Sequence, residues 1–327
     1  MMKLSLKGLL LSVFALTFLS AIAFAADPGS PIPTGATNDQ QPASVLVYNF
    51  YSSDPADPAQ DTKFTLTNIS TSQSVAAHIF FIDGSNCLAA DTFICLTENQ
   101  TASFLASDVD PGVTGYMIAI ASDNLTGVPI GFNFMIGDAH IKLNSGHEAK
   151  LNAEGFQALF QGPLETGDPI LVTLDFNGVE YSKAARTLAL DHIPSRVDGN
   201  RTMLVVNSLS GNLVVGVASI GNVFGILFDD AENAFSFTAS ATCQLNRILS
   251  DDFPITVPKL TSVITSGRSG WLKLLSTLDR GISGAAINFN RRSARERIAF
   301  NGGSNLHRLS NTTGTSILTI PVFPPTC

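Results

Sequence analysis

Two places in this sequence carry carboxylates at a spacing that a cation could use. Asp108-Val109-Asp110-Pro111-Gly112 sets alternate acids ahead of a glycine, and calcium, a hard cation, takes clustered oxygen ligands. The stretch lacks the downstream acid of an EF-hand loop, so Asp108 and Asp110 read either as a calcium site or as a plain turn. Asp229, Asp230 and Glu232 pose the same choice against a solvated loop. Positive charge gathers at Arg291, Arg292, Arg295 and Arg297, with His307 and Arg308 beyond. Guanidinium groups form charge-assisted bonds to carboxylate and phosphate, so an anionic glycan or cell-surface polymer is the ligand this cluster would take. A solvated loop is the plain alternative. Tyr48, Tyr51 and Trp271 add aromatic faces on which sugars could stack, although Trp271 answers Tyr116 in an internal repeat, which favours core packing.

Nucleophilic catalysis needs a Ser or Cys with a base and an acid to orient it. Arg268-Ser269-Gly270 lacks the G-x-S-x-G frame, Ser269 aligns with an ordinary Thr114, and Asp191-His192 is a bare dipeptide. His140, His147, His192 and His307 are scattered, and His78 falls inside an apolar run, where a hydrogen-bonded core histidine is expected. Glycoside hydrolysis would require two carboxylates facing across a cleft, and no pair in the sequence declares itself. The chain therefore reads as non-enzymatic, with calcium as its one candidate cofactor and a hydrolase as the remote alternative.

Its address is more explicit. Residues 1–25 have the form of a secretory signal: Lys3 and Lys7, an apolar run over 9–23, then the small-x-small site Ala23-Phe24-Ala25, with cleavage expected near Ala25. The apolar run is shorter than a membrane span, and the mature chain is expected to carry no transmembrane segment. The protein is thus placed outside the cytoplasm, whether extracellular, cell-surface or periplasmic. Four cysteines suit an oxidising compartment. Cys87 and Cys95 bracket a short loop and are expected to staple it, leaving Cys243 for Cys327; free thiols or an intermolecular bridge are the alternative for the second pair. A net charge of −8 argues against a nucleic-acid partner, which needs a basic face. Asn68, Asn99, Asn124, Asn200 and Asn311 each begin N-x-S/T, a glycosylation signal only in a host that uses it.

The elements that would position these residues are strands. Residues 63–67 alternate Lys, Thr, Thr against Phe64 and Leu66, as in a strand with one wet face, while 74–83 is apolar on both faces and should lie centrally. Residues 115–134 and 270–289 match at a constant offset of 155: Gly115 answers Gly270, and Asn133-Phe134 answers Asn288-Phe289. Each copy reads as strand, turn, strand. At an offset of 139, residues 202–207 echo 63–68 and 214–220 echo 75–81, so the second copy holds an insertion near 221–257. Ser145 and Glu148 have capping-box spacing, which predicts a short helix over 149–160.

These signals give an all-β chain: two tandem antiparallel β-sandwich domains related by an internal repeat, with a short helical connector. Domain 1 spans 44–144, the connector 145–167 and domain 2 168–327, after a flexible leader over 26–43. The plan of Asn-ended strand, apolar strand, polar linker and Gly-aromatic strand resembles the immunoglobulin-like β-sandwich modules of bacterial exported and surface proteins. That resemblance implies fold and setting and carries no catalytic residue. The expected function is structural or adhesive, at the cell surface or in an extracellular matrix, with the chain itself or envelope and matrix components as partners. A carbohydrate-binding protein for anionic glycans is the alternative.

Overall fold

Period-two burial governs the chain. Residues Asp61–Asn68 bury Thr62, Phe64, Leu66 and Asn68 and leave Lys63 in water, while Val75–Asp83 is covered on both faces, as its unbroken apolar run requires. The computed structural model describes residues 41–57, 59–290, 301–314 and 316–326. The signal segment, the leader up to residue 40 and Cys327 fall outside the described residues. Of the expected flexible leader, Gln41 and Ala43 are described, and both are buried, with Ala43 bridged to Met135. Residues 41–43 therefore belong to the fold, because the Ala43 side chain and backbone are used by the sheet.

The first half contains β1 (Val45–Ser52), β2 (Asp61–Asn68), β3 (Val75–Asp83), β4 (Ala89–Leu96), β5 (Thr101–Leu105), β6 (Thr114–Ser122), β7 (Ile130–Gly131), β8 (Met135–Lys142), β9 (Glu148–Asn152) and β10 (Glu154–Phe156). A five-stranded sheet, β10-β1-β6-β3-β4, faces a four-stranded sheet, β5-β2-β8-β9. Tyr51, Phe64, Phe81 and Met117 fill the space between them. Two short strands follow, β11 (Gly162–Pro163) and β12 (Leu171–Asp175).

The second half begins with β13 (Ala185–Pro194), β14 (Asn200–Ser208), β15 (Gly211–Asn212), β16 (Gly216–Val217) and β17 (Gly221–Asp229). It continues with β18 (Ala234–Ala241), β19 (Gln244–Ile248), β20 (Ser269–Ser276), β21 (Ile282–Asn290), β22 (Gly302–Asn305), β23 (His307–Asn311) and β24 (Ile317–Pro321). β13 meets β21 only at Ala185 and Ile282. The large sheet thus divides into two layers, β23-β13-β20-β17-β18 and β19-β14-β21-β22, which enclose Leu188, Leu204, Leu227 and Leu272.

Matched in chain order, these layers have the strand order of the first half. The details recur as well. A bulge interrupts β1 between Tyr48 and Tyr51 and β13 between Leu190 and Ile193, and a single helical turn, Ala106–Val109 or Leu260–Val263, precedes β6 or β20. The paired glycines have a physical cause: a Cβ on Gly115 would stand 1.8 Å from the Ile82 carbonyl oxygen, and one on Gly270 2.5 Å from that of Phe228.

Several sequence expectations are corrected. No helix occupies 149–160: Glu148–Asn152 and Glu154–Phe156 are strands. Ala149 and Leu151 are buried and Glu148 and Lys150 exposed, so period two prevails once β8 offers its hydrogen-bonding edge, and residues 144–147 form a hairpin turn instead of a helix cap. The counterpart of β3 is β17, not 214–220, and Phe224–Phe228 and Phe235–Phe237 belong to the repeat, not to an insertion. The additional residues lie at 209–219 and 249–259. The 155 offset lapses after β20, because 277–281 is a short turn where the first half spends 123–134 on an excursion through β7. Asn133 and Phe134 therefore precede β8, whereas Asn288 and Phe289 lie within β21.

The two halves pack as one contact unit. Met203, Val205, Ala285 and Ile287 of the second half join the first-half core. A polar seam runs beside them: Asn49 Nδ2 donates to Asn305 Oδ1 at 2.9 Å, Asn207 Nδ2 to the Asn49 carbonyl at 2.8 Å, and Gln244 Nε2 to Asn207 Oδ1 at 2.9 Å. Cys87 is bridged to Cys243, with Cα atoms 5.4 Å apart, tying the β3–β4 turn of one half to the β18–β19 turn of the other. The expected Cys87–Cys95 staple is thereby overturned. β4 runs extended from Ala89 to beyond Cys95, about 3.3 Å per residue, which carries the second sulfur out of reach. Cys95 is itself disulfide-bonded.

Candidate functional site

A third sheet, β12-β24-β15-β16, forms a roof over the outer face of β10-β1-β6-β3-β4. Val172, Leu174, Leu213, Val217, Leu318 and Ile320 of the roof pack against Val45, Val47, Phe80, Ile82, Tyr116, Ile118 and Ile120. The register of that face is a grid: Val45, Ile120 and His78 lie abreast, then Val47, Ile118 and Phe80, then Tyr116 and Ile82. Every one of them is buried.

The second half repeats the grid and leaves it open. Thr187, Leu275 and Phe224 lie abreast, then Ala189, Lys273 and Ile226, then Trp271 and Phe228. Phe224 is 37% exposed and Leu309, on β23 across β20 and β13 from it, 49%. Ile226, Phe228, Trp271 and Leu275 are half-buried. A groove of about 390 Å³ runs between Phe224, Leu275, Lys273 and Leu309. Phe228 and Trp271 stack at 4.2 Å with their planes 7° apart, and the Lys273 ammonium lies 5.8 Å from the indole centroid, within range of a cation–π contact. Lys273 has no carboxylate partner among the described residues. Chemically, the face offers aliphatic and aromatic surface around the Lys273 ammonium.

Trp271 thus departs from its expected core role: Tyr116, its partner in the repeat, is sealed by the roof, and no strand among the described residues covers Trp271 in the same way. Tyr48 and Tyr51 also depart from the reading of them as sugar platforms. Both are buried, Tyr48 donating to the Thr65 carbonyl at 2.8 Å and Tyr51 to Asp110. Burial pushes both phenols well above their usual range. Phe224, Leu275 and Leu309 were missed as functional candidates. For Phe224 the signal was a strand apolar on both faces, which normally marks a covered strand; Leu309, in the polar run His307–Asn311, gave none.

The acidic candidates serve the chain's own turns. Asp108 accepts from the Leu105 amide at 3.1 Å and Asp110 from Tyr51, so the two carboxylates point to different partners; burial raises the Asp110 carboxyl above its ordinary value. Asp229 accepts from the amides of Ala231 and Asn233, each at 2.9 Å, and from the Asn233 side chain at 2.8 Å, which holds its carboxyl low. Asp230 pairs with Arg268, which lowers its carboxyl likewise. Among the described residues, no group of three or more His, Cys, Asp or Glu is placed to hold a metal. Arg291, Arg292, Arg295 and Arg297 lie outside the described residues.

His78 is fully buried, with Nε2 2.9 Å from Asp91 Oδ2. Asp191 and His192 line a second groove of about 290 Å³ with Thr202, Asn288 and Ser304. Asp191 Oδ2 stands 3.6 Å from His307 Nε2, and Ser269 begins β20. None of these forms a nucleophile, base and acid chain. No helix among the described residues is long and apolar enough to cross a membrane.

No family model matches the chain, and no curated protein matches it. Among solved structures, the PBSX exported protein XepA aligns over 90% of this chain and 85% of its own at 10% identity, with a TM-score of 0.21. An oxalate decarboxylase from Lactobacillus farciminis aligns over 77% of this chain and 84% of its own at 7% identity and a TM-score of 0.15. A variant of the Bacillus subtilis oxalate decarboxylase covers 72% and 66% at 8% identity and 0.14. Scores this low establish neither fold nor function.

Proposed function

We propose that this is an exported, non-enzymatic β-sandwich protein with a structural or adhesive role at the cell surface or in an extracellular matrix. It acts through the open face of β23-β13-β20-β17-β18. One observation carries the reading: the same grid of residues is roofed in the first half and open in the second. Apolar surface left in water costs about 25 cal/mol per Å², and contiguous patches of it mark interaction surfaces. The Cys87–Cys243 bridge suits an oxidising compartment, and paired antiparallel sheets of the kind the immunoglobulin-like resemblance implies suit an exported setting.

Light scattering after size exclusion tests the reading, using the exported chain and its Phe224→Asp, Leu309→Asp double variant. The expected result is self-association or binding to an envelope or matrix fraction by the parent and loss of both in the variant, with an unchanged unfolding midpoint. A parent that stays monomeric and binds neither fraction contradicts it. A second reading, binding of anionic glycans, is favoured by the outward Trp271 and Phe228 stack beside Lys273. Glycan-array binding lost in both Trp271→Ala and Lys273→Ala would select it.

A further inference from the structure

The roof of the first half shows what kind of segment seats on such a grid. β24 contributes Leu318-Thr319-Ile320-Pro321, with Leu318 and Ile320 fully buried against the sheet. β12 contributes Val172-Thr173-Leu174 in the same manner, and Thr173 and Thr319 meet on the far side, their hydroxyls 3.1 Å apart. Alternation explains the pattern: two aliphatic side chains face the grid, and the threonine between them faces away.

The sequence contains three runs in which a Thr is flanked on both sides by Val, Leu or Ile. Two build the roof. The third, Ile255-Thr256-Val257, is followed by Pro258 as Leu318-Thr319-Ile320 is by Pro321. It stands in the additional residues 249–259, for which the first half has no counterpart, since β5 there runs straight into its helical turn. Ile255 is 77% exposed and Val257 92%, while Thr256 is buried with its hydroxyl on the Pro258 carbonyl at 2.8 Å. The loop is anchored at both ends: Asp251 accepts from the Thr261 amide at 2.9 Å, and Phe253 packs against Phe237. It holds two aliphatic side chains out in water on a fixed frame.

The knob and the groove complement one another in charge as well. Asp252, exposed beside the knob, has no partner for its carboxylate among the described residues, and Lys273 has none for its ammonium. A chain cannot fill its own groove. The knob leads into the Ser269 end of β20, whereas the groove lies at Leu275, six residues along the strand or about 20 Å.

We infer that Ile255 and Val257 of one copy seat in the groove over Phe224, Leu275 and Leu309 of a second copy, with Asp252 on Lys273. The contact joins different patches, so each pair keeps one free knob and one free groove, and the assembly extends head to tail. The inference rests on the self-associating form of the function proposed above.

Sedimentation velocity over a concentration series separates the two. The parent chain is expected to form concentration-dependent oligomers. Ile255→Asp with Val257→Asp, and separately Phe224→Asp with Leu309→Asp, should each weaken association at least about 100-fold, as loss of a central apolar anchor does. An equimolar mixture of the two variants should give a dimer and nothing larger, because one competent knob and one competent groove remain. Asp252→Lys or Lys273→Glu alone should weaken association, and both in one chain should restore it; this pair leaves the apolar packing untouched and guards against misfolding of the aspartate variants. A parent that assembles while the knob variants assemble equally well overturns the inference and leaves self-association standing. A parent that is monomeric throughout overturns both.

Discussion

His78 lies with no exposed surface against Phe80 and Phe93, each 4.1 Å away between ring centroids, with Phe323 at 5.2 Å. Its Nε2 is bonded to Asp91, and its Nδ1 is buried without a partner. Burial, opposed by the Asp91 contact, lowers its pKa from the ordinary 6.5. A base whose native pKa lies below its unfolded value takes up a proton on unfolding, so its contribution to stability is intact above about 6.5 and shrinks as pH falls below it. Urea unfolding midpoints should therefore drop between pH 7.5 and 5.5, and His78→Gln should flatten that slope whatever it does to stability at pH 7.5. An unchanged slope would assign the acid sensitivity elsewhere. The core role of His78 was legible in the apolar run around it. The outward Trp271 was not, since nothing in its own strand says whether a roof covers it.

Among the elements, β6 and β20 match at one offset, while the segments that follow them do not. Gly115 and Gly270 answer one another because each passes against a carbonyl of the neighbouring strand. Gly115→Ala should cost about 1 to 3 kcal/mol, as overpacking does, and the urea midpoint measures it; a neutral result would mean that the strands separate freely. Beyond the strands the loops differ in length, and a fixed offset carried Asn133 onto Asn288 with no structural equivalence behind it. The run after Ser145 held two signals at once, a capping spacing and the alternation of Ala149 and Leu151 with Lys150. Sheet edges offered by β8 decided between them, and such edges exist only once distant strands have assembled.

Over the whole molecule, the halves are held by a polar seam, a shared apolar core and the Cys87–Cys243 bridge. That bridge spans 156 residues, and the chain-entropy model gives a closed loop of that size about 5 kcal/mol as an upper figure. Cys87→Ser with Cys243→Ser should lower unfolding stability by a large part of that amount. If the double variant matches the parent, the seam and core alone fasten the halves. The four cysteines were evident in the sequence, and their pairing was not, because it depends on how one sandwich stacks on the other. Among the described residues, the same stacking supplies a roof to one grid and none to its repeat.

The most direct test of the open face is oxidative footprinting of Trp271, Phe224 and Leu309 in place, on intact producing cells or matrix, against dilute purified protein. Protection of these three side chains in place, with Leu125 labelled equally in both samples, is the result expected of a working interaction surface. Equal labelling of all four in both samples would contradict the account.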